Sequence, residues 1–111
     1  MGPAGIVYTR SSGIPATLAG TGVGFVYVAA KDGNGPVKVG IATNARRRVM
    51  ELENAGGQRF PLIWVSDVCA TFTDIERQAH AYMRPARLVG EWFDVSFDFA
   101  ITLRFSNRAS P

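Results

Sequence analysis

At 111 residues, 47% of them apolar, the chain has the length of one domain with a single modest core. Its one cysteine, Cys69, excludes an internal disulfide and a paired-cysteine metal site, so nothing points to an oxidising compartment. A net charge of +3, with ten arginines among the twelve basic residues, permits nucleic acid as a partner without demanding it.

Residues 1–22 are rich in Gly, Ala, Ser, Thr and Pro and show no sustained period, which reads as a flexible arm. Within them "GIVY" can alternatively pair as a short edge strand. "GFVYVAA" at 24–30 is β-branched and aromatic, a strand. "KDGNG" is a turn, and "PVKVGI" resumes as a second strand, so 24–41 reads as an antiparallel hairpin. Alternation puts Phe25, Tyr27 and Ala29 on one face, and Lys38 and Gly40 on a face opposite Val37, Val39 and Ile41.

Thr43 or Asn44 can cap the next helix, and Gly56 and Gly57 can end it. Ala45, Val49 and Leu52 form its inward stripe. At about 100° per residue, Arg46 and Arg47 point away from that stripe into solvent. Arg48 lies one turn before Leu52 and flanks it.

"PLIWVSDVCATF" carries a third strand over 62–70. Thr73 opens a second helix with "TDIE", a capping-box pattern, and Ile75, Ala79, Tyr82 and Met83 supply its buried face. Glu76 borders that face and His80 follows one turn later on the same flank. Pro85 ends the helix near Arg84. The segment 96–106 is two-valued. Phe97, Phe99, Ile101, Leu103 and Phe105 alternate like a strand, yet Ser96 can cap a helix burying Phe97, Ala100, Ile101 and Phe105. No apolar run spans a bilayer and the start lacks signal-peptide features. The expectation is a soluble, intracellular (cytoplasmic) protein with no membrane partner.

"GFVYV", "VKVG", an arginine on the following helix, "IERQAH" and "GEWF", in that order and spacing, resemble the GIY-YIG nuclease superfamily. The resemblance spans roughly 24–105. It is strongest to the phage and prophage subgroup that also occurs in fungal meiotically up-regulated proteins. It implies an α+β fold, a small three-stranded antiparallel sheet flanked by helices in the order β-β-α-β-α-α. The expected layout is an arm at 1–22, a nuclease domain at 23–107 and a tail at 108–111, with 96–106 helical.

The resemblance also implies a metal-dependent endonuclease acting on DNA with one Mg²⁺ or Mn²⁺. Tyr27 matches the first-motif tyrosine and Gly40 the second-motif glycine. Arg48 matches the helix arginine and Glu76 the metal carboxylate. His80 and the run Glu91, Trp92, Phe93 match positions frequent in the subgroup. Tyr27, Lys38, Arg48 and His80 are thus the catalytic candidates. Glu76 is the metal ligand, and Gly40, Arg46 and Arg47 are substrate-binding positions. Glu91, Trp92 and Phe93 form a structural motif.

The chain departs from the pattern at Lys38, where the second motif has tyrosine, and at Ile41 and Leu52. Since a nearby ammonium lowers a phenol's pKa, Lys38 is expected to make Tyr27 a better base. A phenol starts near 10, so metal-bound water and Lys38 itself stay open as bases. Arg48 suits bidentate capture of phosphate oxygens, against a plain role beside an apolar stripe. Glu76 is contested between metal and helix capping. Glu91 is expected to pair with an arginine, and Trp92 either packs or stacks on a base. The alternatives to a nuclease are a catalytically inactive nucleic-acid-binding module of the same fold and a protein-interaction domain.

Overall fold

The computed structural model describes residues 4–106, with side chains through residue 102. Among the described residues, five strands form one antiparallel sheet in the order β1-β4-β2-β3-β5. The strands are β1 (Gly5–Tyr8), β2 (Phe25–Ala30), β3 (Val37–Ala42), β4 (Leu62–Ser66) and β5 (Trp92–Phe93). Three α-helices flank them: α1 (Ala45–Gly56), α2 (Phe72–Met83) and α3 (Phe97–Ser106). The α+β class and the antiparallel sheet are as expected, but the strand count is five rather than three.

Both extra strands lie at the edges, where sequence signals are weakest. "GIVY", in the stretch expected as a flexible arm, is β1 and pairs along β4 from Gly5–Ser66 to Tyr8–Ile63. The chain after it is anchored too. Ser11 donates its hydroxyl to Glu53 at 2.6 Å, and the same buried carboxylate accepts from the Phe60 amide at 2.7 Å. One acid thereby ties the segment after β1, the end of α1 and the approach to β4. The second extra strand, β5, is only two residues long and reads in sequence as part of a loop.

Central β2 has helices on both sides, so residues 26–30 are all buried. That explains a continuous apolar run where a half-exposed strand would alternate. Tyr27 and Ala29 join Ile14, Ala45, Val49, Phe60, Ile63 and Val65 under α1. Val26, Val28 and Ala30 face the other way, with Trp64, Ala79, Met83, Phe93, Phe97 and Ala100 under α2 and α3.

Helix α1 begins and ends as its sequence indicates. Asn44 accepts from the Arg47 amide at 3.1 Å, and Gly57 closes the helix with φ 69°. The strand expected over 62–70 stops at Ser66, whose hydroxyl accepts from the Val26 amide; Cys69 rejoins the sheet only as a bridge to Gly24.

Helix α2 starts two residues earlier than "TDIE" indicates. Thr71 is its N-cap, no side-chain cap bond forms, and Thr73 lies inside the helix. Phe72 is half-buried over Gly24, and this anchor pulls the first turn back. The buried stripe is Ala79 and Met83 with Ile75 and Phe72 beside it, whereas Tyr82, expected inside, is 68% exposed. For 96–106 the helical alternative holds. Ser96 accepts from the Phe99 amide at 3.1 Å, and Phe97 and Ala100 are buried. The capped helical stripe outweighs the alternation because it lays Phe97 and Ala100 on the open face of β2. The tail expected at 108–111 and the side chains of Leu103 and Phe105 lie outside the described residues. Among the described residues no helix is long and apolar enough to cross a membrane.

Candidate active site

Register positions the first half of the site. Tyr27 pairs with Gly40 and Ala29 with Lys38, so Tyr27, Lys38 and Gly40 share the α1 face as their alternation indicates. The Tyr27 ring lies directly across Gly40, and a Cβ at Gly40 would overlap the ring and its hydroxyl. Glycine here is a matter of close approach rather than of backbone freedom.

Arg48, on the first turn of α1, reaches down and hydrogen-bonds the Tyr27 hydroxyl. Its Nη1 lies 3.7 Å from Glu51, which also holds Arg47 Nε at 3.3 Å. The three arginines are therefore unequal, but not in the exposure their helical angles indicate: Arg46, expected in solvent, is half-buried, while Arg47 and Arg48 are exposed. Arg48 enters the cluster. Arg47 touches it only through Glu51, and Arg46 lines a shallow groove with Ala16, Asn44 and Met50.

The second half forms where β5 stops. β5 pairs with β3 only at Val37–Phe93 and Lys38–Trp92. Glu91, immediately before it, places a carboxylate 3.3 Å from Lys38 Nζ, and that ammonium lies 5.8 Å from the Trp92 ring centroid. Glu91 thus pairs with a lysine rather than an arginine. Trp92 is half-buried and packs against Phe60 with centroids 5.9 Å apart, which favours the packing role.

Past Glu91, β3 has no strand partner on that edge, and α2 covers it instead. His80 Nε2 lies 3.0 Å from the Val39 carbonyl oxygen. A carbonyl only accepts, so Nε2 carries a hydrogen and donates. The His80 ring meets Phe93 edge-on at 4.9 Å. One turn earlier on α2, Glu76 sits 3.9 Å from His80 Nε2. Glu76, His80 and Glu91 each present a ligand atom, all within 4.8 Å of one another.

Two electrostatic features follow. Burial pushes the Tyr27 phenol up to about 12, and its bond to Arg48 only partly opposes this. The expectation that Lys38 lowers this pKa is not met, because Lys38 is turned to Glu91 and Arg48 is the cation at the phenol. Glu76 is also raised from its ordinary value, chiefly by burial, with neighbouring His80 and Lys38 opposing and Glu91 reinforcing the shift. With Thr71 as the N-cap, the capping-box position three residues on is Asp74, so Glu76 is out of the capping position. It stands poorly hydrated beside a second carboxylate, a setting that suits a hard divalent cation.

The Tyr27 shift carries a sign that solution can check. A phenol that keeps its proton to about 12 when folded, but loses it near its ordinary 10.0 when unfolded, loses stability as pH rises through that window. Below 10 the contribution is constant. The wild-type chain is therefore expected to lose about 2–3 kcal/mol more than Tyr27→Phe between pH 10 and 12, read from denaturant midpoints across that range.

Tyr27, Lys38, Arg48 and Glu76, from four separate elements, thus surround the Lys38–Gly40 stretch of β3, joined by His80 and Glu91. Glu51 and the Val39 carbonyl complete the cluster without having been singled out in the sequence. Glu51 is legible as the partner four residues after Arg47 and three after Arg48. The Glu91–Lys38 pair is not legible, because it depends on the β3–β5 register.

No curated protein and no solved structure matches the chain. The T5orf172 domain matches residues 24–106, from the start of the β2–β3 hairpin to the end of α3. This is a GIY-YIG-like, nuclease-associated domain, a nuclease-like or DNA-binding class in which nucleic acid is the expected partner. By this match over most of its length, the chain belongs to the T5orf172 domain family.

Proposed function

We propose that the chain is a metal-dependent endonuclease that hydrolyses DNA phosphodiester bonds at the cluster around Lys38–Gly40 of β3, within the phage-type branch of the GIY-YIG superfamily. The observation that carries this reading is the convergence of a phenol, an ammonium, a guanidinium and two carboxylates on one sheet edge. A purely structural edge has no need of that set.

Glu76, with Glu91 in reach, is the position for one Mg²⁺ or Mn²⁺. A divalent ion there would activate a bound water and offset charge on the leaving oxygen. Arg48 offers its remaining donors to the non-bridging phosphate oxygens, the fixed fork that such oxygens favour. Tyr27, 1% exposed, accepts from Arg48 and so acts by holding that guanidinium in place. With the phenol held at about 12, Tyr27 keeps its proton near neutrality and is not the general base. Lys38 supplies positive charge on the same face. His80 has its Nε2–H turned to Val39, so it holds α2 against β3 instead of transferring protons. In the net reaction a water oxygen bonds to phosphorus, the phosphorus–sugar oxygen bond breaks, and the departing oxygen gains a proton.

The test is supercoiled plasmid with Mn²⁺ or Mg²⁺. Nicking that stops with EDTA and falls about 10²–10³-fold in Arg48→Ala is the expected result. Binding without cleavage, weakening steeply with salt, would instead make this an inactive binding module. The high phenol pKa is the observation that favours that second reading.

A further inference from the structure

The tyrosine of the second motif is replaced here by Lys38, and a lysine poses a problem that a tyrosine does not. A phenol on a strand has two torsions and a rigid ring. An ammonium rides on a flexible four-carbon stem that has to be held if its charge is to act at one point. In this chain it is held. Lys38 is only 12% exposed, its Nζ is 3.3 Å from Glu91, and the Trp92 ring centroid lies 5.8 Å away. Both partners come from one short strand start whose register sets Trp92 opposite Lys38. The Glu91 carbonyl also accepts from the Val39 amide at 3.2 Å, which fixes the backbone from which the carboxylate projects.

We infer that Glu91 and Trp92 are positioning residues for Lys38, and that Glu91 also sets the spacing between this ammonium and the Glu76 carboxylate. The inference rests on the nuclease reading for its catalytic consequence, but not for its geometry. Glu91 faces Lys38 and at the same time lies within 4.8 Å of the Glu76 and His80 ligand atoms. One side chain therefore ties the cation on the α1 face to the acid on α2. A carboxylate that only stapled β5 to the sheet would have no reason to reach both.

The chain has two lysines, Lys31 and Lys38, and Lys31 is exposed. That makes a direct readout available on the full-length, ¹⁵N-labelled protein. In proton–nitrogen spectra tuned to lysine side chains, the Lys38 ammonium is expected to give a signal protected from solvent exchange, while that of Lys31 exchanges away. Glu91→Gln removes the protection, Glu91→Asp restores part of it, and Trp92→Leu shifts the signal. In the nicking assay Glu91→Gln lowers kcat about 10- to 100-fold with KM within about twofold, and adding it to Lys38→Met brings no further loss, as coupled residues require.

A Lys38 signal indifferent to Glu91→Gln overturns the inference. So does a Glu91→Gln variant that loses only melting temperature and keeps kcat, since that marks a staple. If wild type binds DNA without cutting it, the nuclease reading fails by itself. The same variants are then read in DNA affinity, where unchanged affinity after Glu91→Gln overturns the positioning role.

Discussion

Glu76→Gln is expected to lower metal-dependent nicking by about 10²–10³-fold without loss of folding stability. The two halves of that outcome have one cause. Glu76 is poorly hydrated, with Glu91 as a like-charged neighbour and His80 as its nearest opposing partner. Its folded pKa is raised, so the folded state binds its proton more tightly than the unfolded chain does. Stability then falls as pH climbs through the interval between the two values. Glutamine keeps the shape and removes the charge, so the melting temperature holds or rises above that interval. Were Glu76 part of the helix cap, Glu76→Ala would cost roughly 0.5–2 kcal/mol; with Thr71 as the cap and Asp74 three residues on, it should not. Paired nicking rates and thermal melts of wild type, Glu76→Gln and Glu76→Ala decide the matter. Full activity in Glu76→Gln would remove the metal role.

Gly40→Ala carries the largest expected effect on both fold and site from one added methyl. Glycine lets the Tyr27 ring lie flat on β3, with its hydroxyl over the position where a Cβ would be. The methyl would evict the ring from a place where the residue is 1% exposed, between Ala29, Ala45 and Val49. Overpacking of this kind costs about 1–3 kcal/mol. The displaced hydroxyl also leaves Arg48, so nicking should fall at least as far as in Tyr27→Phe. Coupling gives the control. Combining Gly40→Ala with Tyr27→Ala should destabilise by less than the sum of the single changes, because the methyl then meets no ring. Strict additivity in denaturant midpoints would mean that ring and glycine do not meet.

The same contact shows why part of the site could be read in advance. Tyr27 on β2 and Gly40 on β3 are placed by counting in twos along each strand, while the six-residue connection from Lys31 to Pro36 leaves the register to the folded sheet. Arg48 follows from its angle to Ala45 and Val49, and His80 follows Glu76 by one helical turn. Each inference uses only neighbours in the chain. It fails where the partner is remote. The Lys38 charge is assigned to Tyr27 because the two strands are adjacent. In the fold, Arg48 takes the phenol from above and Glu91 takes the lysine from the edge.

The misjudged elements fail for related reasons. Thr73 carries the stronger capping signal, yet burial of Phe72 over Gly24 moves the helix start to Thr71. "GIVY" has too few residues for a pattern, and only the backbone of β4 makes it a strand. "EWF" becomes β5 through two ladder pairs that no local propensity announces.

Local chemistry was therefore enough for the α+β class, the hairpin and the frame of α1, because strand alternation, helical spacing and caps act over a few residues, whereas the candidate site residues came from the resemblance. Folding in three dimensions set the strand count, the protonation of Tyr27, the partner of Lys38 and the release of Glu76 from capping. Each of those depends on desolvation or pairing between segments far apart in the chain, and such energies exist only once the sheet has closed and water has left its faces.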